Sequence, residues 1–498
     1  MNARICGEET EYGGAFISDK GLAHRLSDKY IDNLLLQTDR ETEFLKNGAR
    51  IYRDNQHVEY ATPECTSPLD VLVYSKAGER ILNTLAKKNT TAFEGRTSKR
   101  LNGRVRFFRH NTDGPTYYNT DASIDFYAPA TNTFGCHENY SFDTEKLLWD
   151  QTVLASDADV PGPEIPTMRA LHTLYNHLLP FLITRPIWAG NGNLAVEGGR
   201  YVYQLSQRIP HINKLNSEIS TSERGLFNFR NVPLALYLGR LHLICGDANM
   251  SEYQTYLKYG VTGIVLGMIE DGYKFDNLHF KDCLSVLYAI NHNLNFHEAY
   301  EMRLGRAQSP LDIQRTYLQA AKTWMAAKQD LTLCDVVDAW EETLAMLDEN
   351  DPAVERRLDW AAKRRLIMQK SQREPDASSK LTQINLQYHD IDPVKSLYYA
   401  LVNHEEMETL IDEEDIQRAM EQPPNGSRAR TRQAILDYFA TLRNTGVLIE
   451  CEYVQWDRIS YSFRINDLFY ERVIELPSPY DTSVDSIEEI NTTISQFR

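Results

Sequence analysis

Residues 47–54 read Asn47-Gly48-Ala49-Arg50-Ile51-Tyr52-Arg53-Asp54, and two residues later comes His57-Val58-Glu59-Tyr60-Ala61-Thr62-Pro63-Glu64. Asn-Gly is a turn signal, and the alternation of apolar and polar residues after it predicts a half-buried strand. With a side-chain period of two, Arg50, Tyr52 and Asp54 share one face, and Ala49, Ile51 and Arg53 the other. A solvated face is the commoner use of such a strand. A cation, a phenol and a carboxylate aimed into one space are a demanding arrangement for that use. Toward the N-terminus, residues 4–12 predict a first strand that places Glu9 and Glu11 on one face. Two like charges there cost energy unless a cation sits between them.

Outward from this centre, residues 26–46 predict an amphipathic helix with Tyr30, Ile31, Leu34 and Leu35 on its apolar stripe. Residues 68–88 predict a helix starting at Pro68, with Leu69, Leu72, Val73 and Ala77 facing inward. Strands are expected at 105–111 and 135–140, with a polar, Tyr-rich loop at 114–134 between them. An acidic, proline-rich surface loop at 155–166, a helix at 167–184 and glycine-rich turns at 190–199 follow. Leu241–Cys245 reads as a strand, Gly246–Asn249 as a turn, and Ser251 as the cap of a helix with Glu252 in its first turn. Three helices are expected at 311–329, 335–347 and 352–371, their apolar residues serving as core. Gln422-Pro423-Pro424-Asn425-Gly426 is a breaker and sets a domain boundary at about 421, dividing the chain into 1–421 and 422–498. A helix at 428–441, a strand-rich stretch at 447–463 and a frayed polar tail are expected beyond it.

The 498 residues carry a net charge of −17, which argues against general nucleic-acid or anionic-membrane binding. Seven scattered cysteines without a CxxC motif suit reduced thiols in the cytoplasm. The longest apolar run, Val261 to Ile269, is about half of what a membrane span needs.

Glu9, Glu11, Tyr52, Asp54, Glu59, Glu64, His137 and Glu138 together offer oxygen and imidazole ligands. A carboxylate-rich set with few sulfurs suits Mg²⁺ or Mn²⁺ rather than zinc. Magnesium usually carries nucleotide phosphates, and Arg50 on the same face would neutralise more of their charge. The sequence has no GxxxxGK[ST] loop and no GxGxxG unit between a strand and a helix. A sheet-borne ATP site is what carboxylate–amine ligases use: a carboxylate is phosphorylated, and an amine displaces the phosphate. Asp54 would take the proton of the amine.

These residues resemble a known family over nearly the whole chain. The matching stretches include Gly7-Glu8-Glu9-Thr10-Glu11-Tyr12-Gly13, residues 47–54 and 57–65, Gly135 through Tyr140, Leu205-Ser206-Gln207-Arg208, and Arg240 through Glu252. Leu311-Asp312-Ile313-Gln314-Arg315, Tyr388-His389-Asp390 and Gln422-Pro423-Pro424 also match. The family is that of the Pup ligase (PafA) and the depupylase/deamidase (Dop), relatives of glutamine synthetase. The resemblance implies an α/β fold: a large glutamine-synthetase-like domain with a curved, mostly antiparallel sheet, and a small C-terminal domain closing over the nucleotide. It implies that Glu9, Tyr52 and Glu59 hold Mg²⁺, that Arg50, Thr62 and Trp456 contact ATP, and that Asp54 is the catalytic carboxylate. His137, Arg208 and Glu11 are secondary candidates. The implied partners are Pup, or a Pup-like small protein, and proteins bearing the lysine to be modified.

The family block Asn-Thr-Arg-Asp-Glu-Pro-His-Ala-Asp reads here Asn228-Phe229-Arg230-Asn231-Val232-Pro233-Leu234-Ala235-Leu236, with four ionisable positions lost. That bears on the substrate more than on ATP. Only Gly14 to Lys46 follows the first strand, which favours the ligase arm. The short Asp54-to-Glu59 spacing and Gly246-Asp247-Ala248-Asn249 favour the depupylase arm. The expected activity is therefore ligation of the C-terminal glutamate of Pup to a lysine. The alternatives are a depupylase or deamidase with ATP as a bound cofactor, or a diverged relative acting on another carboxylate.

Overall fold

Strand β1 (Cys6–Ser18) runs through the principal sheet and exchanges partners along its length. The computed structural model describes residues 4–21, 23–38, 40–89, 93–94, 100–114, 117–118, 133–150, 165–219, 223–229, 238–329, 332–374, 378–465, 468–483 and 485–496. In chain order β1 is followed by α1 (Asp28–Leu35), β2 (Arg50–Asp54), β3 (His57–Ala61), α2 (Pro68–Lys88), β4 (Gly103–Phe108), β5 (Cys136–Asp143) and α3 (Ile165–Thr184). Next come β6 (Leu238–Leu243), α4 (Glu252–Glu270), α5 (Pro310–Lys328), α6 (Cys334–Glu349) and α7 (Asp359–Arg373). The C-terminal elements are α8 (Arg428–Asn444), β7 (Leu448–Val454), β8 (Arg458–Ile465), β9 (Leu468–Glu475) and α9 (Asp485–Gln496).

The fold is the expected mixed α/β one. Among the described residues the principal sheet has eleven strands, and only Lys214–Ser217 beside Gly225–Asn228 is parallel. The first half of β1 pairs with β5 and β3, and from Gly13 onward it pairs with β4. Gly13 stands at this exchange because a Cβ there would meet the His110 ring at 2.5 Å. Residues 8, 10 and 12 of β1 point to the face covered by α2 and α4. Glu8 is buried there but not unpaired: Arg109 Nη2 lies 2.6 Å away and Ser75 donates at 2.7 Å. Arg109 also bonds Glu79, which bonds Lys76, so the buried charges compensate one another. The large apolar core lies beyond, among α3, α4, α5 and α6.

Several expected elements are corrected. The helix predicted over 26–46 ends at Leu35, where Thr38 caps the Leu35 carbonyl. Thr42 then takes a positive φ of 55°, and Phe44–Leu45 forms a short strand. Helix α2 has the expected bounds, but Leu69 is 44% exposed because it lies on the opposite side of the helix from the buried Val71, Ser75 and Leu82. The glycine-rich region 190–199 contains a strand, Asn193–Glu197, that turns back at Gly198-Gly199 onto Arg200–Gln204. The helix predicted at 352–371 is split into a 3₁₀ turn (Pro352–Arg356) and α7. The tail is not frayed: β9 and α9 complete a sheet and core with α8, β7 and β8. The loops expected at 114–134 and 155–166, and positions 230–236 of the altered block, fall almost wholly outside the described residues.

Candidate functional site

The free face of the principal sheet is ordered by strand register into rows. Pairing of β1 with β3 sets Glu9 opposite Ala61 and Glu11 opposite Glu59. Pairing of β3 with β2 sets Ala61 opposite Arg50, Glu59 opposite Tyr52, and His57 opposite Asp54. On the other flank β5 places His137 opposite Glu9, and β6 places His242 opposite Asn139. Three rows result: His137, Glu9 and Arg50; then Glu11, Glu59 and Tyr52; then His57 and Asp54.

Carboxylate oxygens of Glu11, Asp54 and Glu59 lie within 4.8 Å of one another. Glu59 is only 5% exposed, and the Tyr52 phenol donates to it at 2.7 Å. Burial, together with the charges of Glu9, Glu11 and Asp54, pushes the Glu59 carboxyl up to about 9. Burial acts the same way on Glu11. There the hydrogen bond to His57 (3.1 Å), the charge of His137 and the Gly135 N–H (2.9 Å) prevail and hold the carboxyl down to about 2. The Tyr52 phenol is raised by burial and by Glu59 and Glu9.

A second group adjoins the first. Glu9, His137 and His242 also offer ligand atoms within 4.8 Å of one another. Despite its burial, the Glu9 carboxyl is held well below the usual range by the two imidazoles and by Arg240. His242 is buried with neither ring nitrogen in a hydrogen bond among the described residues, and burial pushes it down to about 4. An all-oxygen cluster short of positive charge fits a hard divalent cation.

Of the residues singled out from sequence, Glu9, Glu11, Arg50, Tyr52, Asp54, Glu59 and His137 converge on this face. Arg50 is turned to Glu43 and stacks over the Tyr52 ring at 4.6 Å. Thr62 sits just past β3, where its Oγ1 accepts the Glu8 N–H at 3.0 Å. Trp456 lies edge-on to Phe44, 5.1 Å between centroids, and Phe44 is the strand partner of Arg50. The Arg432 guanidinium lies over both rings, at 4.6 and 5.2 Å. Arg208 is buried and donates to Ile244 O and Thr133. Glu64 and Glu138, offered above as ligands, are committed elsewhere: Glu64 to Arg428 and Arg432, Glu138 to Arg185 on the covered face. Sequence reasoning missed His242, Arg240 and the part played by His57. The alternation Leu241-His242-Leu243 carried the signal for His242, since it turns the imidazole away from two core leucines.

The profile of the family described as Pup-ligase protein matches residues 18–460. A depupylase of Acidothermus cellulolyticus (strain ATCC 43068 / DSM 8971 / 11B) is 34% identical over 84% of this chain and 74% of its own. The Pup ligase PafA solved in complex with Pup superposes with a TM-score of 0.77 at 27% identity, covering 99% of this chain and 93% of that one. PafA in complex with ADP gives a TM-score of 0.71 at 26% identity, covering 95% and 96%. A mixed α/β chain with a carboxylate-lined sheet face is thus of the class to which these enzymes belong. The chain is a member of the Pup-ligase family. No helix among the described residues is long and apolar enough to cross a membrane.

Proposed function

We propose that this chain is an ATP-dependent ligase joining the C-terminal glutamate side chain of Pup, or of a Pup-like protein, to a substrate lysine through an acyl phosphate. The observation that carries this reading is Asp54, grouped with Glu11 and Glu59 at the tip of the β2–β3 hairpin on the face that bears Arg50. ATP, bound with Mg²⁺, supplies the phosphoryl group that activates the carboxylate. Glu9, Tyr52 and Glu59 hold the ion, with Glu11, His137 and His242 in reach. Arg50 leaves Glu43 to meet phosphate, and Thr62 and Trp456 line the nucleotide. The lysine nitrogen attacks the activated carbonyl, the C–N bond forms as the C–O bond to phosphate breaks, and Asp54 takes the lysine proton. The ADP complex of the related ligase supports the nucleotide assignment.

In this reading residues 1–421 are the catalytic domain and 422–498 close over the nucleotide. Trp456, edge-on to the strand partner of Arg50, and Arg432, over the ring of that partner, support the division. Seven free cysteines support a reducing, cytoplasmic setting. Incubation with ATP, Mg²⁺, Pup ending in glutamate and a lysine-bearing protein should yield ADP and a conjugate. Asp54→Asn should abolish the conjugate and keep nucleotide binding; wild-type protein that yields neither ADP nor conjugate overturns the proposal. The depupylase relative favours a second reading, isopeptide cleavage. A preformed conjugate cleaved without stoichiometric ADP would select it.

A further inference from the structure

The outer edge of β4 borders a cavity that the chemistry above leaves unused. Arg109 N donates to His389 O at 2.8 Å and Ile391 N to Phe107 O at 3.2 Å, with Phe108 and Asp390 bridged between them. The chain then turns away. Lys395 N and Ser396 N both donate to Asp392 O at 2.9 Å, and no further backbone bond joins this segment to β4 among the described residues. The parting leaves a cavity of about 210 Å³ between β4, the turn and the last turns of α2. None of the residues assigned above to the metal, the nucleotide or the lysine proton lines it.

The polar groups of this cavity are not balanced among themselves. Asn83 lines it from α2, one turn before Ala86 and Lys87. It is 7% exposed, and its carboxamide makes no hydrogen bond among the described residues. A buried amide without a partner is costly, and native folds rarely leave one unmet. Arg106 pairs with Asp390, yet its Nε is buried with no hydrogen-bond partner among the described residues. Burial and the neighbouring Arg104 push the Arg106 guanidinium below its ordinary value, and Asp392 only partly offsets them. Both carboxylates of the lining are committed. Asp390 is held by Arg106 and accepts the Asp392 N–H at 2.9 Å, while Asp392 accepts the Val394 N–H at 3.2 Å and lies 3.6 Å from Lys87 Nζ. Arg104 and Lys395 also line the cavity, with no ion-pair partner among the described residues. Four cations against two carboxylates leave two positive charges over, in a chain whose net charge is −17.

We infer that this cavity binds a phosphate dianion, free or as the monoester of a small organic molecule. The two positive charges left over match what a phosphate monoester carries near neutrality. The guanidiniums of Arg104 and Arg106 are forks that suit its oxygens, and Lys395 adds a point charge. The Asn83 amide then has an oxygen to donate to. The site is separate from the phosphates of ATP and stands whether the chain ligates or cleaves.

The test is calorimetric titration of the full chain with inorganic phosphate, and separately with glycerol phosphate. Both are run with Mg²⁺ and a saturating non-hydrolysable ATP analogue, so that the catalytic face is filled. Arg104→Gln with Lys395→Gln, and separately Asn83→Leu, should each weaken binding by about tenfold or more, the usual worth of one hydrogen bond to a charged group. Arg104 and Lys395 are exposed, so that double variant should keep the wild-type thermal midpoint and decides the matter even if Asn83→Leu fails to fold. Nitrate, with a single charge, should bind at least about tenfold more weakly than phosphate. Unchanged affinity in the double variant, nitrate binding equal to that of phosphate, or loss of phosphate binding once the ATP analogue is bound would overturn the inference. With the site upheld, tighter binding of glycerol phosphate assigns it to a monoester, and tighter binding of inorganic phosphate assigns it to the free ion.

Discussion

The phenol of Tyr52 and the carboxylate of Glu59 face each other across the β2–β3 hairpin, joined by a 2.7 Å hydrogen bond. The bond orients a buried carboxylate that three other acidic groups surround. Tyr52→Phe removes the donor and keeps the ring. Calorimetric titration with Mg²⁺ should show affinity lower by about 10- to 100-fold, the usual cost of losing a group that orients a ligand. Unchanged affinity would place the ion elsewhere.

Glu64 joins Arg428 and Arg432, and Arg432 in turn donates to Gly48 O and Trp456 O. Glu64→Gln leaves two buried guanidiniums short of a counter-charge and should cost about 3–5 kcal/mol in urea unfolding. Despite burial, the two arginines hold the Glu64 carboxyl below its ordinary value. Its contribution is therefore present above the ordinary glutamate range and lost as pH falls through and below it. The stability gap between wild type and variant should close in acid.

Lys363 is buried on α7, with Nζ 2.8 Å from His389 Nε2. Burial pushes its ammonium down, although Asp359 and Asp247 oppose the shift. A lysine lowered in the folded state weakens the fold as pH falls, because the unfolded chain takes up the proton first. Between pH 10 and about pH 7, the range from the ordinary lysine value to the lowered one, wild type should lose stability relative to Lys363→Met. Denaturant midpoints at several pH values check the slope; a flat difference would refute the assignment.

Asn47 is fully buried and makes three hydrogen bonds: Nδ2 donates to Tyr60 Oη and to Ala419 O, and Oδ1 accepts from Ala49 N. Gly48 beside it has φ +78°. Asn47→Ala should cost about 3 kcal/mol, at roughly 1 kcal/mol for each bond lost. The thermal midpoint reads this directly.

What the sequence made legible was local. Alternation along 50–54 and at Glu9 and Glu11 named the faces correctly, and Ser251 stands where a cap was expected, accepting from Gln254 N. Register was not local. Nothing in residues 4–12 says that Glu11 lies against Glu59 rather than against a lysine, and Glu138 reads like Glu9 until Arg185 is found beneath it. The same limit hid β9. Its residues are exposed on both faces over much of their length, so Leu468–Glu475 shows no clear period of two and reads as tail. The helix expected over 26–46 overreaches because Leu45, which belongs to a short strand, falls on the helical stripe of Ile31, Leu34 and Leu35. The helix stops at Leu35, where Thr38 Oγ1 donates to the Leu35 carbonyl at 2.7 Å.

Asp54 and His57 close the hairpin through a tip of two residues, Asn55 and Gln56, with Asn55 at φ +49°. A tip this short makes the carboxylate cluster hostage to arithmetic. One residue inserted there and taken up by the pairing would turn Glu59 toward the core, with Val58 or Tyr60 in its place. Length change at this tip is then tolerated only where the extra chain bulges outward. A deletion scan of Asn55 and Gln56 would therefore read as an on–off code rather than a gradual decline.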